Sequence, residues 1–189
     1  MLLQQKNTQG RKIGLVLGGG GARGLAHIGV AKVLAAHNIE ISYLAGCSMG
    51  GIIAATLALR MSIDEIEKIA RRFSSKREII KLVDRTPTRK GLLAGKNIRK
   101  YLSQYIDPDI RIEDTPIPLF INAVDLISGK EVLLEHGNLL DALMATTAVP
   151  GFFPPVEIDR YRLVDGGVLN DVPVKYIKKL AAVFILAVD

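Results

Sequence analysis

The chain has 189 residues, 49% of them apolar and 23% charged, with 18 glycines, one cysteine and a formal net charge of +6. That length and apolar fraction support one globular domain with a real core and exclude a disordered chain. The single cysteine, Cys47, excludes an intrachain disulfide, and no Cys/His cluster suggests structural zinc; both fit a reducing compartment.

Met1 to Lys12 is polar, lacks the apolar stretch of a cleaved signal peptide and reads as a flexible leader to a single domain over residues 13–189. The expected location is the cytoplasm, with peripheral contact at the inner membrane surface. Residues 13–17 (IGLVL) are wholly apolar, the sign of a strand buried on both faces, and Gly18 to Gly21 end it. Residues 26–36 place Ile28, Ala31, Leu34 and Ala35 at helical spacing. A second strand is expected over 39–45, a turn over 46–50 and an apolar helix over 52–59. The uncharged run 41–59 is long enough to span a bilayer, but Gly46, Gly50 and Gly51 break it, so strand, turn and helix is the reading. Ser62 with Glu65 forms a capping box opening a third helix to Phe73.

Residues 83–95 combine Pro87, Gly91 and Gly95 with several charges and read as a loop or linker, followed by a helix over 97–106. Strands are expected over 119–124 and, after a Ser128-Gly129 turn, over 131–134. Asn138 can cap a short helix reaching Thr146. Residues 150–155 must be irregular, 161–164 form a short strand and 182–188 a last buried one. Strands alternating with helices imply an α/β domain with a mainly parallel sheet. The sequence stops at Asp189, where another helix would ordinarily follow; a compact domain and a C-terminally truncated one are both open. Between Arg71 and Lys100 stand 11 basic and 2 acidic residues. That stretch suits an anionic membrane surface, or is a solvated face. Nucleic acid is the weaker partner, because only Phe73 and neighbouring Tyr101 could stack on bases.

Three stretches carry chemistry. Gly18-Gly19-Gly20-Gly21-Ala22-Arg23-Gly24 follows a strand and opens a helix, where backbone N–H groups attract an anion. It formally fits G-x-G-x-x-G, but the second strand ends in Ala45-Gly46-Cys47-Ser48 rather than the acid that would hold a ribose. A phosphate loop would need Gly-Lys-Ser/Thr. The remaining readings are an oxyanion hole, whose donors meet the charge formed in acyl transfer, and a plain tight turn. Gly46-Cys47-Ser48-Met49-Gly50 matches G-x-S-x-G between strand and helix, a turn that lifts a serine out of the backbone and aims the Met49 amide at an oxyanion. Cys47 is the rival nucleophile, expected to face away from Ser48 as core filler.

Serine needs a base. His136 follows Ser48 in sequence and could pair with Asp125, but it sits in an ordinary-looking turn; His27 and His37 read as structural. The other candidate is a carboxylate acting directly, best placed at Asp165-Gly166-Gly167, although an Asp-Gly turn alone is common.

Taken together, Gly18 to Gly24, Gly46 to Gly50 and Asp165-Gly166 resemble, in order, the three marks of patatin-like phospholipases, and residues 145–155 (ATTAVPGFFPP) resemble a fourth block. The likeness runs from about Ile13 to Pro173. It implies a three-layer α/β/α fold and hydrolysis of fatty-acyl esters of lipids by Ser48 with Asp165 as base. Gly18, Gly19, Gly20, Gly21 and Met49 would supply the oxyanion hole, with no cofactor, metal or catalytic histidine. Arg23 would orient the loop or meet a lipid phosphate. Thr146-Thr147 departs from the family, where serine is more usual, and is expected to bear on packing. Phe152 and Phe153 are expected to pack in the core or to line an acyl channel. A non-catalytic lipid-binding protein on the same fold, and a thioesterase or peptidase using the same dyad, are the alternatives.

Overall fold

The structure, a computed structural model, describes residues 12–73, 85–88, 91–93, 95–180 and 183–189. The expected flexible leader otherwise lies outside those residues, but Lys12 opens the first strand. Four parallel strands form the centre of a mixed sheet: β1 (Lys12–Leu17), β2 (Tyr43–Gly46), β5 (Leu119–Asp125) and β9 (Val183–Val188), in the order β5-β2-β1-β9. Two strands pair with β5 antiparallel, β6 (Lys130–Leu134) and β8 (Tyr161–Asp165), and β7 (Val156–Ile158) pairs antiparallel with the outer edge of β8.

The alternation along the central strands sorts the layers. Leu15, Leu17, Leu44 and Ile121 are fully buried against α1 (His27–Ala36), α2 (Met49–Ala58), α3 (Ile63–Phe73), α4 (Lys96–Leu102) and α5 (Leu139–Thr146). Val16 and Ala45 point the other way, onto Ile177 of the short α6 (Val174–Lys178). The fold is thus α/β/α with one thick helical layer and one thin. α2 is buried nearly all round, which is why its sequence is apolar all round. At ten residues it spans about 15 Å, half a bilayer core. Among the described residues no helix is long and apolar enough to cross a membrane.

Both expected helix caps are present. The Ser62 hydroxyl accepts from the Glu65 amide at 3.3 Å while the Glu65 carboxylate accepts from the Ser62 amide at 3.1 Å, and Asn138 Oδ1 accepts from the Asp141 amide at 3.0 Å. Several bounds differ from expectation. The second strand is only Tyr43–Gly46, because left-handed Asn38 (φ 52°) turns the chain out of α1 and the following residues cross to the sheet, which they reach at Ser42, whose amide donates to the Ile13 carbonyl at 2.8 Å. The helix expected over 97–106 ends at Leu102. Within the expected loop 83–95, Arg85–Thr88 (β3) and Gly91–Leu93 (β4) pair antiparallel; Pro87 is tolerated because a two-stranded ribbon leaves one edge unpaired. The intervening residues lie outside those described.

Strand pairing brings two distant chain segments head to head. Ile121 pairs with Gly46 of β2 and with Leu134 of β6, so β2 and β6 occupy opposite edges of β5. Ala123 pairs with Val132 of β6 and Asp165 of β8, so β8 shares the β2 edge. β8 runs against β2 along that edge, and the C-terminal ends of the two strands meet.

Candidate active site

Ser48 follows the end of β2, and Asp165 ends β8. Ser48 holds φ 51° and ψ −122°, a conformation costing a non-glycine residue roughly 1–3 kcal/mol. The glycines around it do not carry the strain, since neither Gly46 nor Gly50 has positive φ. They are needed for contact. A β-carbon on Gly50 would lie 2.2 Å from the Gly18 carbonyl oxygen, and one on Gly46 would lie 2.5 Å from the Gly50 carbonyl oxygen. The turn is held by Thr146, whose Oγ1 accepts from the Ser48 amide at 2.9 Å. Thr146 thus supports the site directly, a correction to the packing role expected of it: the Thr146 hydroxyl meets an N–H that no helix bond could satisfy.

Ser48 Oγ donates to Asp165 Oδ2 at 2.7 Å. The other carboxylate oxygen, Oδ1, accepts from the Gly167 amide at 2.8 Å and, weakly, from the Cys47 thiol at 3.7 Å. Burial pushes the Asp165 carboxyl above the usual aspartate range, against the hydrogen bonds from Ser48, Gly167 and Cys47; the negative Asp171 adds to the upward push. Burial likewise pushes the Cys47 thiol well up, with Asp165 and Asp171 adding to it. Cys47 is fully buried and held protonated, the opposite of an activated thiol.

The histidines take no part in such a pair. His27 is buried and its Nε2 donates to the Gly18 carbonyl at 2.8 Å, bracing the glycine loop. His136 is exposed. Asp125 is occupied by Ser128, Ile127 and Arg162, and the Ser128 hydroxyl and those backbone amides hold its carboxyl down at about 2.

The glycine loop lies beside Ser48: a β-carbon on Gly19 would be 3.5 Å from Ser48 Cβ. Gly20 (φ 104°) and Gly21 (φ 55°) are left-handed and lead into a 3₁₀ turn, Gly21–Ala26. The Gly18 amide donates to Val188 at 2.8 Å, so its donor belongs to the sheet and not to an oxyanion site. The Gly19 and Gly20 amides have no hydrogen-bond partner among the described residues, and Met49, as first residue of α2, has an amide without an intrahelical acceptor. Arg23 is exposed at the loop's outer side.

Ser48 also opens onto a cavity of about 200 Å³. Met49, Ile52, Ile53 and Thr56 form one wall, Ile66 and Ile69 another, with Tyr101, Leu102 and Phe153 closing it. The hydroxyls of Thr56, Tyr101 and Thr147 each donate to a backbone carbonyl, at 2.8, 3.0 and 2.7 Å, so the interior presents an apolar surface. Phe153 lines this cavity, whereas Phe152 is 56% exposed outside it; neither is a core residue.

Residues 15–177 match the family described as patatin-like phospholipase. The chain belongs to that family. It is 34% identical over 187 residues to an uncharacterised NTE family protein of Mycobacterium bovis, covering 99% of this chain and 51% of that one. It is also 32% identical over 184 residues to the neuropathy target esterase sws of Drosophila melanogaster, covering 95% of this chain and 13% of that one. The chain therefore spans about half the length, or less, of these curated relatives. VipD from Legionella pneumophila shares the fold, with a TM-score of 0.71 at 16% identity over 86% of this chain and 47% of its own.

In this patatin-like domain the turn after Asp165 rests on a polar network that sequence reasoning missed. Asn122 Nδ2 donates to the Asn170 carbonyl at 2.8 Å and to Glu131 Oε1 at 3.2 Å, Asn170 Nδ2 donates to the same Glu131 oxygen at 2.9 Å, and Lys175 pairs with Glu131. Asn122 occupies the strand position between the two meeting strand ends. Its only sequence signal was a polar residue inside the apolar strand LFINAV.

Proposed function

We propose that the chain is a serine hydrolase of fatty-acyl esters, of the phospholipase A, lysophospholipase or carboxylesterase type. The carrying observation is the 2.7 Å hydrogen bond from Ser48 to Asp165 at the mouth of an apolar cavity. Asp165 takes the Ser48 proton as Oγ attacks the ester carbonyl. The Gly19, Gly20 and Met49 amides receive the oxyanion, where losing one donor costs about 2.7–4 kcal/mol. The tetrahedral intermediate collapses, and the leaving alkoxide takes the proton back from Asp165. Water, deprotonated in turn by Asp165, then frees the fatty acid from acyl-Ser48. Arg23, exposed on the glycine loop, would orient that loop or meet a lipid phosphate. The basic stretch between Arg71 and Lys100 favours docking on an anionic membrane surface. Residues 74–84 of that stretch lie outside those described, and Arg71 and Arg99 are paired with Glu67 and Asp141.

The test treats wild type, Ser48→Ala and Asp165→Asn with a fluorophosphonate probe, alongside hydrolysis of a nitrophenyl ester and a lysophospholipid. Labelling and turnover are expected in wild type, absent in Ser48→Ala and lowered in Asp165→Asn by about 10²–10⁴-fold, the contribution of a general base. Turnover surviving in Ser48→Ala would overturn the mechanism.

A further inference from the structure

Asp171 is the charged group at this site that the proposed reaction does not use. A β-carbon built on Gly19 would lie 2.3 Å from Asp171 Oδ1, and one on Gly167 would lie 2.9 Å from the same oxygen and 3.1 Å from Asp165 Oδ1. One carboxylate oxygen thus fills the space that two side chains are denied, with the glycine loop on one side and the turn after Asp165 on the other. Neither Gly19 nor Gly167 has positive φ, so backbone conformation does not require glycine there. The approach of Asp171 does. The Asn122–Glu131–Asn170 network fixes the preceding residue and with it the direction of the carboxylate.

The groups facing Asp165 are the Ser48 hydroxyl and Cys47 thiol from the turn after β2, the Gly167 amide from its own turn, and Asp171. From α5, Thr146 reaches the Ser48 amide and the Cys47 thiol, and the Ala148 carbonyl beyond it holds the Asp165 amide at 3.0 Å. No cation among them offsets the second negative charge, which adds to burial in opposing ionisation of Asp165. Asp171 itself has no hydrogen-bond donor or cation as partner among the described residues.

We propose that Asp171 is a tuning carboxylate of this site: its charge opposes the negative charge that Asp165 must carry to accept the Ser48 proton, and its packing holds the glycine loop against the base's turn. The inference rests on the Ser48–Asp165 reading. It is tested by the rate of Ser48 phosphonylation by the fluorophosphonate across pH, in wild type, Asp171→Asn and Asp171→Ser, with thermal melts as a folding control. Both neutral variants are included because either could fail to fold.

The neutral variants are expected to carry their acid limb to lower pH, labelling several-fold faster than wild type on that limb. The gap should narrow at high salt, because Asp171 is exposed and its charge can be screened. A merely structural Asp171 would change the plateau and leave the limb in place. Coincident limbs in a labelled wild type and a folded neutral variant would overturn this proposal alone. A wild type that the probe does not label would overturn the dyad reading and this inference with it.

Discussion

Asp165 is a buried carboxylate that the proposed mechanism requires to be charged, and that tension is measurable. In the unfolded chain it titrates at about 3.9, in the ordinary aspartate range. In the fold, burial raises that value, so ionisation costs the folded state stability at every pH above the folded value. Below the unfolded value both states are protonated and the cost vanishes. Asp165→Asn can keep the acceptor for Gly167 and donate its amide to Ser48 Oγ. This variant is therefore expected to melt higher than wild type at pH 7, by about 2–4 °C for each kcal/mol relieved. Melting curves should converge as the pH falls through the acid range; a variant less stable at pH 7 would contradict the account. The residues that speak to the chemistry were legible in sequence because Gly-x-Ser-x-Gly and Asp-Gly-Gly are local patterns. The hydrogen bonds of Thr146, Asn122 and Asn170 were not, since each reaches a partner tens of residues away, and Asp171 was not, since nothing in its own segment shows that the glycine loop lies against it.

The meeting of β2 and β8 on one edge of β5 could not be read from periodicity, which places residues on faces but does not say which strands are neighbours. Periodicity did place β1, β5 and α2, whose apolar patterns are long and unambiguous. It missed β7 and α6, whose three and five residues are too few to show a period. Of these elements α2 forms a wall of the cavity: it runs away from Ser48 and presents Met49, Ile52, Ile53 and Thr56 at the i, i+3, i+4, i+7 spacing of one helix face. An acyl chain lying along that face gains about 0.8 kcal/mol per buried methylene. Through a nitrophenyl ester series, kcat/KM is expected to climb about fourfold per added carbon and then level when the cavity is full. Thr56→Leu narrows the cavity a full two turns from the serine, so the plateau should begin at a shorter chain while the acetate ester is unaffected. A series in which Thr56→Leu and wild type level together would place the acyl chain elsewhere.

At the scale of the whole molecule, the proposed docking on a lipid interface would have two different handles, one apolar and one basic. Val149 lines the cavity and is also exposed, and Phe152 follows it on the same loop. Val168 and Leu169 are exposed on the turn after Asp165, which is tied to that loop by the hydrogen bond from the Asp165 amide to the Ala148 carbonyl. Of these side chains Val149 lines the cavity itself, and the others are exposed on the two segments joined by that hydrogen bond. Any contribution they make to lipid binding would be independent of salt, while that of the basic stretch between Arg71 and Lys100 would fall as salt screens it. Co-sedimentation with vesicles of neutral lipid, and of neutral lipid mixed with anionic lipid, separates the two. Binding is expected to rise with anionic lipid and to fall toward the neutral-vesicle level as salt is added. Phe152→Ala should weaken binding at every salt concentration, by about fivefold if roughly 1 kcal/mol of apolar burial is lost, and should leave hydrolysis of a soluble short-chain ester unchanged. Binding indifferent to both lipid charge and salt would remove the basic stretch from the account, and binding indifferent to Phe152→Ala would remove the apolar rim.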